Sequence, residues 1–330
     1  MIRRDTEKLS LPGGRRVSQP GHEIALQYLK KRMKEIGLIP FKNNNFCLPY
    51  RDKFTNLAGV IPGRNSSALP VLIGAHYDSA IDAPCADDNA ISVAMILSIS
   101  EILMKKPPER NTIVAFFDAE EKPCFLTENM GSTRFCNDHC NDIDFACVVI
   151  LDMIGHDFQV GIPPVDFFIP GIRQMLFILG SESHLELPAI VEHASSEAKG
   201  LRVIPTLTRY IGDRSDYHAF RKAGQPYLFI SKGWGKHSHK PEDTVDWINF
   251  NRVELIQNLL LEMLELLDKA PMAENRAPED PFLCEIRMMR KAIGWPLPLI
   301  LAYLGFYRFA LRSRKDIDFL MGKILKLTKF

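Results

Sequence analysis

Residues 71–78 read Val-Leu-Ile-Gly-Ala-His-Tyr-Asp, an apolar run that ends abruptly in a histidine and a carboxylate. Residues 112–121 (Thr-Ile-Val-Ala-Phe-Phe-Asp-Ala-Glu-Glu) and 148–152 (Val-Val-Ile-Leu-Asp) repeat this design with acidic side chains at the end. Short apolar runs of this kind are typical of strands that are buried on both faces of a mostly parallel sheet. Ligands in such sheets bind beyond the carboxyl ends of the strands. We therefore expect the polar residues that close these runs to converge in one crevice.

Composition narrows the class of protein. The 330 residues are 46% hydrophobic and 25% charged, which is ordinary for a globular protein. The formal net charge of +1 gives no reason to expect nucleic acid as a partner. Seven irregularly spaced cysteines favour reduced thiols, and the first residues lack the apolar core of a secretory signal. These two features predict a cytoplasmic protein.

Predicted strands and helices alternate along the chain. This alternation indicates an α/β fold, in which a central, mostly parallel mixed β-sheet is flanked by helices on both faces. The segment 155–208 mixes helical and extended patterns and gives no clear prediction. The other predicted elements are helices at about 19–36, 89–104 and 249–268, and strands at 56–61, 71–76, 112–118, 148–152 and 226–231.

A polar, proline-rich segment at residues 270–281 divides the chain. We place a main domain at residues 1–269, and a linker followed by a basic, amphipathic helical extension at residues 270–330. Residues 286–330 contain ten basic and two acidic side chains, a net charge of +8 that leaves −7 for the rest of the chain. The apolar run at 295–304 is too short to span a membrane.

The last part of this extension has the pattern of an amphipathic helix. A basic helix of this kind can lie peripherally on a membrane or on a partner, including a second copy of the chain. Packing against the body of the same chain, or against a second subunit, is the favoured interpretation. The apolar residues on one face of the predicted helix are Ile317, Leu320, Met321, Ile324 and Leu325.

Five potential metal ligands lie at or near the ends of predicted elements. Catalytic zinc is bound by imidazole and carboxylate groups. Two neighbouring zinc ions that share a bridging carboxylate require two histidines, two terminal carboxylates and the bridge. The chain supplies such a set in His76, Asp88, Glu121, Asp152 and His239.

The order of the motifs resembles the zinc aminopeptidases of metallopeptidase family M28, over about residues 15–268. The resemblance implies a zinc aminopeptidase-like catalytic domain within residues 1–269, folded as a three-layer sandwich. The motifs that carry it are His-Tyr-Asp-Ser at 76–79, Ala-Asp-Asp-Asn-Ala at 86–90, Asp-Ala-Glu-Glu at 118–121, Leu-Asp-Met-Ile-Gly at 151–155 and His-Lys-Pro-Glu-Asp-Thr at 239–244.

The resemblance also implies a role for each ligand. Asp88 would bridge two Zn²⁺ ions. His76 and Asp152 would complete one zinc site, and Glu121 and His239 would complete the other.

Three further residues receive roles from the same motifs. Asp78 would orient the imidazole of His76. Glu120 would act as the general base. It would take a proton from the water that becomes the metal-bridging hydroxide and pass it to the leaving amine. Asp216 would lie at the crevice, as a substrate contact or as a support for the ligands, with a simple helix-capping role equally open.

The implied activity is that of a two-zinc exopeptidase, which hydrolyses the N-terminal bond of a peptide with a free N-terminus. Glutaminyl cyclases are the first alternative, since they share the fold and usually use one zinc. They carry a tryptophan immediately before the last histidine ligand, where this chain has Ser238. A scaffold that has lost its metals is a third and weaker alternative, because no ligand is missing.

Overall fold

The computed structural model describes residues 1–42, 44–51, 53–159, 166, 171–272, 280–303, 305 and 311–328, with side chains up to residue 323 in the last segment. Most of the predicted linker, residues 273–279, lies outside the described residues. So do Leu304 and the side chains of Ile324 and Leu325, which the sequence patterns placed in the extension. The predicted boundary after residue 269 stays a prediction.

The described strands form one mixed sheet in the order β1-β3-β5-β4-β6-β9-β7-β8, with β2 pairing on β3. The four central strands, β5-β4-β6-β9, are parallel to one another, and antiparallel pairs flank them. The strands are β1 (Ile39–Pro40), β2 (Cys47–Tyr50), β3 (Phe54–Ile61), β4 (Val71–His76), β5 (Thr112–Phe117), β6 (Cys147–Leu151), β7 (Met175–Leu179), β8 (Arg202–Thr206) and β9 (Tyr227–Ser231).

Helices occupy most of the remaining described chain. They are α1 (Ile2–Leu9), α2 (Pro20–Ile36), α3 (Ile91–Lys105), α4 (Gly131–His139), α5 (Leu187–Glu197), α6 (Thr208–Ile211), α7 (Tyr217–Lys222), α8 (Phe250–Lys269), α9 (Phe282–Ile293), α10 (Leu297–Tyr303) and α11 (Arg314–Thr328).

Successive side chains of a strand point to opposite faces of the sheet, and in the central strands the side chains on both faces are mostly apolar and buried. On one face, Ile73 of β4 belongs to a cluster that includes Leu29 of α2 and apolar residues of α3 and α8. On the other face, Leu72 belongs to a cluster with Phe135 of α4 and Phe220 of α7. Helices therefore cover both faces, and the predicted fold class is confirmed.

The structure differs from the predicted elements at the start of α3, and it adds elements that were not predicted. Helix α3 begins at Ile91 rather than near residue 89, because Asp88 and Asn89 have non-helical backbone angles within a wide turn over 86–90. Helix α1 and the elements β7, α5 and β8 had no clear sequence pattern. They are short, and their burial comes from neighbours that are distant in sequence.

The extension packs against the body of the same chain. Helix α9 lies along β8 at the edge of the sheet. Met175 and Ile204 of the sheet share a third apolar cluster with Met289, Leu301 and Ile317 of the extension. None of the helices in the described ranges is long and apolar enough to cross a membrane.

Arg15 ties the N-terminal segment to the loop that follows β4. Its side chain is buried, with 1% of the residue exposed. The guanidinium donates hydrogen bonds to the backbone carbonyls of Leu9, Tyr77, Pro84 and Cys85 at 2.7–3.0 Å. The planar fork of donors therefore fixes both ends of the segment 77–85, which leads from β4 to the turn over 86–90.

Replacing Arg15 by methionine removes these donors and retains much of the side-chain volume. We expect the free energy of unfolding to fall by roughly 3 kcal/mol, because each buried acceptor left without a donor costs about 1–3 kcal/mol and some will be rehydrated. Chemical denaturation of the two proteins measures this difference.

Arg16 provides the control. It forms an exposed ion pair with Asp82 at 3.3 Å. Arg16→Met should change the free energy of unfolding by less than about 0.5 kcal/mol. Equal losses in the two variants would contradict the role assigned to Arg15.

Candidate metal centre

The sheet delivers three of the five predicted ligands to one edge. His76 is the last residue of β4 and lies in register with Phe117, the last residue of β5. Glu121 follows β5 after a short turn, and Asp152 follows β6 directly. Because β5, β4 and β6 are parallel neighbours, these residues emerge side by side at the carboxyl ends of their strands.

Asp88 lies between two imidazoles and uses a different oxygen for each. Its Oδ1 is 3.2 Å from Nε2 of His76, which in turn is 3.6 Å from Oδ1 of Asp152. Its Oδ2 is 3.0 Å from Nε2 of His239, which in turn is 3.1 Å from Oε1 of Glu121. The structure thus brings the five residues together as two groups of three that share Asp88.

Each of these two groups can offer its ligand atoms to one metal ion. In each, one atom per residue lies within 4.8 Å of the others. Nε2 of His76 and Oδ1 of Asp152 are buried and make no hydrogen bond to any described residue. Buried polar atoms without a partner are costly, so their convergence on one point fits a cation better than a purely structural role.

The carboxylates in the centre exceed the positive charge that the protein supplies. Burial raises the pKa of Glu121 to about 7, and the nearby Asp88 carboxylate contributes to this rise. Burial also raises the pKa of Glu120 well above its ordinary value, against the effect of His76. Burial alone would raise the pKa of Asp88, but the two imidazoles bring it below its ordinary value.

The histidines respond to the same excess of negative charge. Burial would lower the pKa of His76, but Glu120 and the other facing carboxylates raise it well above its ordinary value. Hydrogen bonds to Asp88 and Glu121 likewise overcome burial and raise the pKa of His239 to about 10. The imidazoles hold protons where divalent cations would provide the missing charge, and metal binding would release those protons. The donor set and its electrostatics therefore fit zinc.

Asp78 fixes the turn that carries Glu120 and Glu121. Its Oδ1 accepts a hydrogen bond from the backbone N–H of Glu120 at 3.1 Å, and its Oδ2 accepts one from Glu121 at 3.2 Å. Oδ1 also lies 3.4 Å from Nδ1 of His76. Asp78 therefore supports two motifs at once, whereas the sequence predicted only the contact with the imidazole.

A second support for this turn was not predicted. Asp118 accepts hydrogen bonds from the backbone of Thr55 at 2.7 Å and Ala119 at 2.8 Å, and it lies 2.7 Å from Nε2 of His22. Asn56 accepts from the backbone N–H of Asp118 at 2.9 Å. Asp118 belongs to a quoted motif, but nothing in the sequence indicates that it contacts His22, Thr55 and Asn56.

Asp243 holds the backbone of Asp87 and Asp88 in place. It accepts hydrogen bonds from the backbone N–H groups of Asp87 at 2.8 Å and Asp88 at 3.1 Å. Asp87 in turn accepts from the backbone of Gly155 at 2.6 Å and faces Nδ1 of His156 at 2.5 Å. The carboxylate of Asp87 thus contacts Gly155 and His156, whereas that of Asp88 faces the two imidazoles of the centre. Only the position of Asp243 in the last motif could have indicated its role.

Asp216 is fully buried at the start of α7, close enough to His76 and Asp152 for their charges to affect it. Burial raises its pKa to about 7. The structure brings Asp216 towards the crevice, and its role in substrate contact stays a prediction.

Of the five candidate ligands, only His239 has a side chain that is substantially exposed to solvent. The side chains of His76, Asp88, Asp152 and Glu121 are 1%, 4%, 5% and 9% exposed, whereas that of His239 is 35% exposed. The ring of Trp234 packs edge-on against His239 with 4.7 Å between centroids, and Trp234 is 51% exposed. An aromatic side chain therefore borders the entrance.

Two other residues of interest lie elsewhere. His237, the nearby alternative to His239, packs against the ring of Trp247 with 4.3 Å between centroids. The hydroxyl of Tyr210 donates a hydrogen bond to Asp318 of the extension.

Comparisons with known proteins show the family of the chain. The model of peptidase family M28 matches residues 56–264, which include all five predicted ligands. The protein YfbL of Escherichia coli (strain K12), described as uncharacterized, is 26% identical over 216 residues, covering 59% of this chain and 66% of YfbL. The chain therefore spans just under two thirds of that relative. It spans only 8% of the mouse endoplasmic reticulum metallopeptidase 1, at 28% identity over 74 residues.

Solved structures share the fold. The LapA aminopeptidase of Legionella pneumophila matches with a TM-score of 0.65 at 17% identity, over 82% of this chain and 71% of LapA. A Zn-dependent exopeptidase of Parabacteroides distasonis matches at 0.63 and 18% identity, over 82% and 97% of the two chains. A glutaminyl cyclase of Bacteroides thetaiotaomicron matches at 0.60 and 18% identity, over 80% and 96%.

Asp243→Asn tests the support of the bridging ligand. In the unsubstituted protein, each oxygen of Asp243 accepts a hydrogen bond from a backbone N–H group. Asparagine replaces one of these oxygens with an NH₂ group, which cannot accept that bond, so we expect Asp88 to shift. Zinc affinity should fall about 10–100-fold, which is the usual cost of losing an outer hydrogen-bonding partner. Competition with a zinc indicator measures this change. Asp246→Asn, at an exposed position in the same loop, should leave the affinity unchanged. Equal affinity in Asp243→Asn and the unsubstituted protein would show that other contacts hold Asp88.

Proposed function

The chain belongs to peptidase family M28, and we propose that it is a zinc-dependent aminopeptidase with two metal ions per chain. The observation that carries this proposal is the shared carboxylate of Asp88. Its two oxygens face two separate histidine–carboxylate pairs. One metal ion would occupy only half of this arrangement.

Each metal position has a complete set of protein ligands. His76, Asp152 and one oxygen of Asp88 would hold the first ion. His239, Glu121 and the other oxygen of Asp88 would hold the second. Zinc bound here supplies a Lewis acid that polarises a carbonyl and lowers the pKa of water towards neutrality.

Glu120 is the group best placed to move protons. It follows the same turn as Glu121, and its side chain can approach His76 and Glu121 within 4.8 Å. Its backbone is held by Asp78. Glu120 would take the proton of the attacking water on a carboxylate oxygen and donate it to the nitrogen of the leaving amine. Burial, which raises its pKa, favours the protonated form that the second step requires.

The depth of the centre supports attack at chain ends. Four of the five ligand side chains are almost fully buried, and access is on the side of His239. A terminal residue with a free amino group can enter such a recess, whereas an internal peptide bond would bring two chain segments against its rim. The excess of carboxylates would also attract a substrate ammonium group. The proposed substrate is therefore a peptide with a free N-terminus.

Glutaminyl cyclase activity is the second candidate. Ser238 stands where the cyclases carry a tryptophan. However, Trp234, four residues before Ser238, packs its indole ring against His239. An aromatic wall at this point could pack against the side chain of an N-terminal glutamine. Complete ligands on both sides of Asp88 favour the aminopeptidase.

Glu120→Gln should separate proton transfer from metal binding. The amide keeps the shape of the side chain but cannot accept the proton, so kcat should fall about 10²–10⁴-fold. Zinc content should stay the same, because Glu120 belongs to neither of the groups that share Asp88. Steady-state hydrolysis and elemental analysis provide the two measurements. Glu128→Gln, an exposed glutamate seven residues from Glu121, should retain full activity. A Glu120→Gln enzyme with ordinary kcat would remove Glu120 from the mechanism.

The choice of activity is decided by the products. We expect release of free amino acids from unblocked peptides, none from N-acetylated peptides, and free glutamine from a peptide that begins with glutamine. Mass spectrometry separates this outcome from ring closure with loss of ammonia, which would identify a cyclase. Activity should disappear on dialysis against a chelator and return as zinc is titrated back, with a plateau at two ions per chain. A plateau at one ion would contradict the two-metal proposal.

A further inference from the structure

Helix α10 carries an exposed apolar side that nothing in the described chain covers. Leu299 and Tyr303 lie four residues apart on one face of this helix, and Trp295 precedes Leu299 by the same interval in the turn before it. Their exposures are 62%, 84% and 73%, the highest among the large apolar side chains of the described residues. Leu297 and Leu301 anchor the other side of the helix in the third apolar cluster. The helix is therefore held by one side and displays the other.

Helix α11 shows a related pattern beside it. Ile317 and Leu320 are buried in the same cluster as Leu301. Lys315, Phe319 and Lys323, four residues apart, are exposed on the opposite side. The ammonium group of Lys323 lies 5.3 Å from the centre of the Phe319 ring. We call the exposed side chains of α10, of the turn before it and of α11 the tail face: Trp295, Leu299, Tyr303, Lys315, Phe319 and Lys323.

The extension that bears the tail face has an excess of positive charge. Residues 286–330 carry a net charge of +8, against −7 for the rest of the chain. Part of this charge is neutralised, since Arg314 pairs with Asp280 and Glu285. Lys315 and Lys323 form no ion pair with any residue that the structure describes, so their charges face solvent.

We propose that the tail face binds the surface of a membrane that contains anionic lipids. Tryptophan and tyrosine favour the boundary between lipid headgroups and acyl chains, where an amphipathic ring meets both environments. Exposed lysines on the same extension are attracted to anionic headgroups. A helix with this division of side chains lies in the plane of the interface. A twofold contact between two copies is disfavoured, because it would bring two tail faces of the same positive charge together.

Vesicle co-sedimentation of the full chain tests the proposal. The probes are vesicles of phosphatidylcholine alone and of an equimolar mixture of phosphatidylcholine and phosphatidylserine. We expect at least tenfold stronger binding to the mixed vesicles, weakened by high salt because exposed charges are screened. The fluorescence of Trp295 should shift to shorter wavelength on binding, and the shift should be absent in Trp295→Phe.

Two sets of variants identify the face. Combined replacement Trp295→Ser, Leu299→Ser and Tyr303→Ser should abolish binding, and Lys315→Glu with Lys323→Glu should remove the preference for anionic vesicles. The matched control is Ile24→Ser with Ile39→Ser, which removes apolar side chains that are 54% and 52% exposed on α2 and β1. Circular dichroism and peptidase activity should be unchanged in all of them, so loss of binding cannot be attributed to unfolding.

Three results would overturn the proposal. One is the absence of sedimentation with either kind of vesicle, and another is equal binding to both kinds at low salt. The third is association of the chain with itself in light scattering, lost in the triple serine variant and without vesicle binding, which would assign the tail face to a second copy. None of these outcomes bears on the peptidase proposal, because the metal centre lies on other elements.

Discussion

The candidate metal centre depends on Asp88, because its carboxylate faces two imidazole–carboxylate pairs at once. Placing several carboxylates in a buried crevice is unfavourable. Burial and the neighbouring carboxylates therefore raise the pKa values of Glu120 and Glu121. Divalent cations would offset this cost more effectively than protonated histidines can. The remainder of the site can be understood as the means of holding the ligands in place against their mutual repulsion.

The support comes from backbone groups as much as from side chains. Asp78 and Asp243 each accept hydrogen bonds from two consecutive backbone N–H groups, beneath the Glu120–Glu121 turn and beneath Asp88 respectively. Arg15 donates to the carbonyls that bracket the loop leading to Asp88. A carboxylate or guanidinium that bonds the backbone fixes the position of a turn without occupying the metal positions. This arrangement lets the loops be shaped independently of the sheet.

The two ends of the chain serve different surfaces. The acidic body concentrates negative charge at the sheet edge, where a cation and a substrate ammonium group would be attracted. The basic extension covers the far edge of the sheet through α9 and displays aromatic and lysine side chains outward. Tyr210 and Arg209, on the short helix before the segment that bears Asp216, both contact Asp318 of the extension. The extension is thus joined to the body through side chains of α6.

The sequence by itself determined the α/β fold class, because buried strands require apolar residues in short runs, and its motifs singled out five candidate ligands that the structure brings together. It did not determine the supports. Asp243, Asp118 and Arg15 act through contacts between segments 62 to 156 residues apart, such as Arg15 with Tyr77 and Asp243 with Asp87. It also did not reveal that Trp234 reaches His239, since the path of a loop depends on its surroundings. Short-range patterns reflect local burial and chemistry, whereas the tertiary structure decides which distant backbone groups meet.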